Sequence, residues 1–452
     1  MSTMTRLGAG VAATLTLLAP ALWNGFALLQ YDTGGYLARW YEGTLVPSRA
    51  VVYGLMLAAG APWNFWPVAV VQAALTVWIL ALMLHTHGLG RRPLLLFGIA
   101  SFLALATTLP WLTSILLTDI FAGLTVLALY LLVMRAETLH RAEIAGLIVL
   151  VAVGAATHSA TVAVLLSLIL AAALAVLVDR RLVPLAGLGR GLLALALGVA
   201  LVLAANFAVA RRLAWTPGGF ALVFGRMLQD GIVKRYLDDH CPDPLLRLCA
   251  HHNELPDDAD VWFWGSDLFD RLGRFAGLGK EMETIVIKSI AAYPWLQLKI
   301  AAIATARQLV FVRTGEGVET TILHTYAIME RYTPSVVPAM RAAHQQRGEI
   351  GFAAINRLHV PVALASILLL LAVIAVAYRR HADIGVLAAT VLLAILANAV
   401  ICGVLAKPHD RYGARIVWLA TLVMALAPLR MRVAGKSGLY RPPMISASTS
   451  PT

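Results

Sequence analysis

Charged side chains are scarce. They make up 13% of the 452 residues, against about 25% in an ordinary soluble domain. Hydrophobic residues reach 60%, and mean hydropathy is +0.78. That balance excludes a soluble globular chain and leaves an all-α polytopic membrane protein. Cysteine is almost absent. Cys241, Cys249 and Cys402 include no CxxC pair, so the thiols supply no metal or redox motif. No internal repeat is visible, which counts against a transporter built from matched halves. No nucleotide-binding fold is visible either. The first apolar run follows Arg6 but has no clear small-x-small cleavage site before Asp32, so it reads as a retained first helix, not a signal peptide.

What is abundant is long apolar sequence. Stretches near residues 8–28, 65–85, 93–109, 114–134, 143–156, 159–178, 190–209, 359–378, 384–405 and 413–430 are read as about ten spans. The formal charge, 36 basic minus 24 acidic residues, is +12. In a membrane protein the excess has a simple source, because Lys and Arg collect in cytoplasmic loops, and nucleic acid need not be invoked. With the N-terminus inside, Arg6, Arg91, Arg92, Arg135, Arg141, Arg180, Arg181, Arg190, Arg379 and Arg380 fall in inner segments. The inner tail adds Arg430, Arg432, Lys436 and Arg441, while the outer loops hold Arg39, Arg49, Lys407, Arg411 and Arg415. Both termini are therefore expected in the cytoplasm of a bacterial-type inner membrane.

This topology divides the chain. Residues 1–209 form a seven-helix module with a long first outer loop, and residues 210–358 form one extracytoplasmic block. Residues 359–436 form a three-helix module, and 437–452, rich in Ser, Pro and Thr, form a disordered tail. The block holds 16 of the 24 acidic residues. Of the rest, Asp32, Glu42, Asp119 and Asp410 share the outer face. The first outer loop, 29–64, is expected to fold as two short helices, 33–44 and 50–60, on either side of Pro47. Trp40, Tyr41, Tyr53, Trp63, Trp66 and Trp111 are expected in an aromatic belt. Residues 284–312 read as an amphipathic pair broken at Pro294 and lying along the membrane surface. Cys241 and Cys249 are either a disulfide or two free thiols.

Four polar clusters, far apart in sequence, meet the outer face: Asp32, Tyr36, Arg39 and Arg49; Thr118-Asp119; Thr157-His158-Ser159; and Lys407-Pro408-His409-Asp410-Arg411-Tyr412. Convergent polar groups at one face of a bundle mark a site. Each cluster also has a plain structural reading. Asp32 is then a hydrated helix-end charge, Asp119 a helix cap, His158 a turn residue and Lys407–Arg411 a solvated loop. An unpaired carboxylate such as Asp119 within an apolar stretch costs on the order of 2.5–3.5 kcal/mol. Lys407–Arg411 runs against the positive-inside bias, and an anionic ligand would account for it.

These residues resemble the GT-C superfamily of integral membrane glycosyltransferases, in particular the class with a seven-helix N-terminal module. The likeness lies in Asp32 of Asp-Thr-Gly-Gly-Tyr just after the first helix, the long first outer loop over 33–60 and Asp119 near the second. It extends to Tyr293-Pro294-Trp295-Leu296 through Lys299, and to Arg411-Tyr412 before the last helix. The resemblance implies transfer of a sugar, with inversion, from a polyprenyl-phosphate donor to an extracytoplasmic acceptor (glycan, lipid or protein) at the outer leaflet. Arg49, Lys407, His409 and Arg411 are then expected at the departing phosphate, with Tyr36 and His158 at the substrate. Asp32 is expected as base. Asp119 either orients the acceptor or binds a divalent cation with Asp32; two oxygen ligands suit Mg²⁺ or Mn²⁺. The competing readings are a transporter or flippase of an anionic lipid or solute, and a non-catalytic scaffold. The charge bias makes a first testable statement. A reporter enzyme fused after Arg226 is expected to be active only in the external compartment, and cytoplasmic activity would reverse the topology.

Overall fold

The computed structural model describes residues 3–90, 92–216, 219–377 and 382–437. Arg91, Arg379, Arg380, Arg441 and the 438–452 part of the tail lie outside the described residues. The helices, in chain order, are α1 Thr3–Leu17, α2 Ala19–Asn24, α3 Thr33–Glu42, α4 Val51–Gly60, α5 Trp66–Thr86, α6 Pro93–Ala106, α7 Leu109–Ser114 and α8 Asp119–Tyr130. They continue with α9 Arg141–Thr157, α10 Ser159–Val178, α11 Leu185–Ala210, α12 Gly219–Gln229, α13 Ile232–His240, α14 Asp267–Arg271, α15 Arg274–Ala292, α16 Pro294–Val310, α17 Leu323–Tyr332, α18 Val337–Ala342, α19 Ala353–Ala377, α20 Ala382–Leu405 and α21 Asp410–Ser437. Among the described residues there is no β-strand, only two isolated bridges.

Among the described residues, seven helical segments are long and apolar enough to cross a membrane: Trp66–Thr86, Asp119–Thr138, Ser159–Val178, Leu185–Ala210, Ala353–Ala377, Asp383–Leu405 and Asp410–Arg432. The protein is therefore an all-α, multi-pass membrane protein. The other three expected spans are helical but shorter or divided. The first is interrupted by a hydrogen-bonded turn at Leu18 beside Pro20, and it ends at Asn24 because Gly25 takes a left-handed conformation, φ 79°. Phe26 to Gln30 then run as buried, non-helical backbone. The third span stops at Ala106 and the fifth covers Arg141–Thr157.

The expected helix over 114–134 begins later than its hydropathy suggests. Residues 115–118 leave the helix, and Leu116 N–H donates to Leu28 C=O at 2.9 Å while Leu28 N–H donates to Ser114 C=O at 2.9 Å. The two breaks satisfy each other's backbone, which is what allows non-helical chain inside an apolar bundle.

Two cores form. The larger runs through the bundle and includes Leu28, Leu29, Tyr36, Tyr53, Phe121 and Trp418, together with Val318, Ile322 and Met329. The smaller packs Phe224, Tyr236, Trp262, Phe269 and Met282, mainly from α12, α13 and α15, with the disulfide Cys241–Cys249 at its edge. The block expected over 210–358 thus splits in its packing. Residues 221–286 have their own core, whereas α17 lies against α3 and joins the bundle.

The pair broken at Pro294 is present as α15 and α16, but α16 packs along α20 instead of lying free on a surface. Of the expected aromatic belt, Trp40, Tyr41 and Trp63 are exposed, whereas Tyr53 is fully buried. The Tyr53 hydroxyl donates to Gln72 Oε1 at 2.9 Å, and Gln72 Nε2 in turn holds the carbonyls of Thr113 and Ile115 at 3.1 and 3.0 Å.

The segment over 29–64 packs tightly because Gly54 of α4 lies against the backbone of α3, where a Cβ would meet the carbonyl oxygen of Tyr36. Gly54→Ala is therefore expected to destabilise the fold by about 1–3 kcal/mol, the usual cost of overpacking. A lower unfolding midpoint in detergent would show it. Gly10→Ala, with nothing within 4 Å of the added methyl, is expected to leave the midpoint unchanged.

Candidate active site

Asp32 and Asp119 both stand where a helix break ends: Asp32 just before α3, Asp119 at the first position of α8. Neither side chain caps its own helix, so the capping role open to Asp119 is not what the carboxylate does. Instead both face the start of α21. Arg411 Nη1 donates to Asp32 Oδ2 at 2.5 Å, and Arg411 Nε donates to Asp119 Oδ2 at 2.7 Å. One guanidinium thus joins carboxylates 87 residues apart in the chain (119 − 32). Arg49 Nη2 is ion-paired with the other Asp32 oxygen. Arg415, one turn along α21 and fully buried, places Nη1 3.7 Å from Asp119 Oδ1 and donates from Nε and Nη2 to Asn398 Oδ1 at 3.0 and 2.7 Å.

Electrostatics follow from this packing. Burial pushes the Asp32 carboxyl up, but Arg49 and Arg411 outweigh it and hold the group below the usual carboxylate range. Asp32 is therefore ionised at neutral pH. His158 ends the turn between α9 and α10, where its Nδ1 accepts from Ala160 N–H at 3.2 Å. Burial, then the cations Arg415, Arg411 and Arg49, drive this imidazole well below its ordinary value and keep it neutral. His158 and Arg49 also line one small cleft, about 30 Å³, with Asn206 and Trp215.

The rim comes from a loop that the sequence analysis did not single out. Thr314-Gly315-Glu316-Gly317 turns back on itself with positive φ at both glycines, 99° and 77°. Gly317 C=O accepts from Tyr31 N–H at 3.3 Å, which ties the loop to the first break. Glu316 Oε2 accepts from the backbone N–H of Arg411 at 2.7 Å and so caps α21, while Oε1 meets His409 Nδ1 at 2.5 Å. Asp410 Oδ1 accepts from Arg313 N–H at 2.9 Å. Burial raises Glu316, and the contacts with His409 and Arg411 more than reverse it, leaving the carboxyl below its usual value.

Of the residues expected at a site, Asp32, Asp119, Arg49, His409 and Arg411 come together, with His158 beside them. Tyr36 is at hand through its hydroxyl, 3.4 Å from Thr118 Oγ1, and through Arg49, whose guanidinium lies 5.5 Å from the ring centroid. Two residues go elsewhere. Lys407 pairs with Asp258, at 3.2 Å, and with Asp260, both beside the smaller core. Arg39 binds Glu42 at 2.6 Å and Thr44 within its own loop. Three members were missed: Glu316, Arg415 and Tyr31, the last lying next to Arg411. A signal for Arg415 existed, since it follows Arg411 by one helical turn inside an apolar helix. Glu316 was hidden among the acids of residues 210–358. The expected divalent cation does not fit this arrangement. Arg411 occupies the place between Asp32 and Asp119 that a shared ion would need, and Arg49 takes the remaining Asp32 oxygen.

No protein-family model, curated protein or solved structure matches the chain.

Removing one partner from a buried ion pair leaves the other charge uncompensated, at a cost of about 3–5 kcal/mol. Arg411→Ala is expected to lower stability by that order, because it strands Asp119 and half of Asp32. Arg411→Met combined with Asp119→Asn is expected to recover part of the loss. Chemical unfolding in detergent would measure both, and an Arg411→Ala protein as stable as the parent would mean that the bridge is not structural.

Proposed function

We propose that the chain is a membrane glycosyltransferase of the GT-C kind, moving a sugar from a polyprenyl-phosphate donor to an extracytoplasmic acceptor. The observation that carries this reading is the buried convergence of Arg49, Arg411 and Arg415 on Asp32 and Asp119, with neutral His158 beside them. Three guanidiniums face two carboxylates, so this inner set holds a cation in excess. Guanidinium groups bind phosphate oxygens in bidentate fashion, and one fixed before the substrate arrives needs no reorganisation to meet the charge that develops on a leaving phosphate. Asp32 and Asp119 hold the guanidiniums in place.

The rest of the architecture agrees with that chemistry. In this reading the chain crosses the membrane ten times with both termini cytoplasmic and residues 210–358 outside, and the cluster then faces the outer leaflet. The modules 1–209 and 359–436 supply apolar helix faces for the polyprenyl tail. Asp32 retains the role of base only if a substrate phosphate draws Arg49 or Arg411 away from it. In the resting arrangement both its oxygens are taken, so it serves as a positioning residue.

One observation favours a second reading. Broken helices that cross near a polar cluster also occur in transporters, and the breaks at 25–32 and 115–118 meet each other. They both lie in the N-terminal module, however, and not in matched halves, so transport of an anionic lipid or solute stands second.

The assay is transfer of a labelled sugar from polyprenyl-phosphate donors to extracted acceptor in proteoliposomes. Arg49→Ala is expected to raise the donor KM about 10–100-fold, the equivalent of roughly 1.5–3 kcal/mol for a charge-assisted hydrogen bond, with a smaller change in kcat. Lipid movement across the vesicle wall without any sugar transfer would replace the transferase with the second reading.

A further inference from the structure

We infer that His409, oriented by Glu316, is the group that takes the proton from the acceptor hydroxyl, an inference that rests on the transferase reading above. The geometry is that of a carboxylate–imidazole pair. Glu316 Oε1 meets Nδ1 at 2.5 Å, and among the described residues Nε2 takes no hydrogen-bond partner. The backbone of His409 is clamped at both ends by the buried side chain of Gln308, whose Oε1 accepts from His409 N–H at 3.0 Å and whose Nε2 donates to His409 C=O at 2.8 Å. Glu316 is equally fixed, because its second oxygen caps α21 at Arg411 N–H. Neither group has to move to work.

Their position also separates them from Asp32. Asp32 has both oxygens in ion pairs and a side chain only 10% exposed, whereas the side chains of His409 and Glu316 are 21% and 28% exposed. An acceptor arriving from the aqueous side meets the imidazole before the buried salt cluster. The charged groups around His409 are Glu316 and Arg313 on the loop, Asp410 and Arg411 on α21, and Asp32 after the first break. The ring of Tyr412 packs edge-on, 5.5 Å away between centroids.

The step balances without any further reactant. The acceptor O–H proton passes to His409 Nε2 as the oxygen forms a bond to the anomeric carbon of the donor sugar. The bond from that carbon to the phosphate oxygen breaks, and the electron pair leaves with the polyprenyl phosphate, where Arg49 and Arg411 meet the added charge. Glu316 stabilises the imidazolium that forms. His409 is thus the catalytic residue and Glu316 a positioning residue.

The test uses the full chain in proteoliposomes. His409→Ala is expected to lose about 10²–10⁴-fold in kcat, the usual worth of a general base, with donor KM little changed. Added imidazole should restore part of the rate in His409→Ala but none in Asp32→Asn. Glu316→Gln, which keeps the shape of the side chain, should lose less kcat and again leave donor KM in place. Wild-type transfer with undiminished kcat in His409→Ala, or a loss that imidazole does not relieve, overturns the dyad and leaves the transferase standing. Absence of transfer by the wild type from every polyprenyl-phosphate sugar tried overturns the transferase, and the dyad falls with it.

Discussion

A single guanidinium held between two carboxylates is the constraint on which the rest of the structure depends. Arg411 sits where apolar side chains exclude water, so neither it nor Asp32 nor Asp119 tolerates isolation. Three segments must therefore arrive together: the end of the first helical stretch, the start of α8 and the start of α21. Arg49 and Arg415 extend the same demand to the first outer loop and to α20, through Asn398. Much of this end of the bundle is arranged to meet it.

The means is the paired helix break. A continuous first helix would carry its backbone hydrogen bonds internally and would have no reason to lie against the segment before α8. By releasing residues 25–32 and 115–118 from helical pairing, the chain leaves carbonyls and amides that are satisfied partly by each other's segments and partly by side chains and loops packed around them. Gln72 and Gln345 complete the set: Gln72 holds 113 and 115, and Gln345 holds both the N–H and the C=O of Leu29, at 3.0 and 2.7 Å. The carboxylates are placed by backbone accounting before any charge is considered.

How much of this was legible follows from the same physics. Hydropathy reports the apolar stretches well, and charge scarcity makes Asp32, Asp119 and Arg411 conspicuous, since few polar groups interrupt those stretches. Hydropathy is blind to a break that is as apolar as a helix, which is why Phe26–Leu28 and Ile115–Leu117 read as helix. Glu316 was unreadable for the opposite reason: in a segment rich in acids, one more carries no signal until its loop folds back. Lys407 was misplaced because a cation beside Arg411 in sequence was assumed to share its partner, whereas Pro408 separates the two and Asp258 and Asp260 offer Lys407 nearer anions.

That pair of contacts makes Lys407 a tether. The unit built on Trp262 and Phe269 is fastened by this side chain to a loop only four residues upstream of Arg411 (411 − 407). Burial lowers the Lys407 ammonium, Asp260 and Asp258 more than reverse this, and the group stays charged across the physiological range. Its partners are 44% and 58% exposed, however, and contacts between exposed charges weaken once the Debye length shrinks below about 10 Å, near 0.1 M salt. Salt in the bathing solution therefore loosens this one fastening, while the bond from Arg226 Nε to Gly403 C=O at 3.2 Å and the packing of α12 against α20 still hold the unit to the bundle.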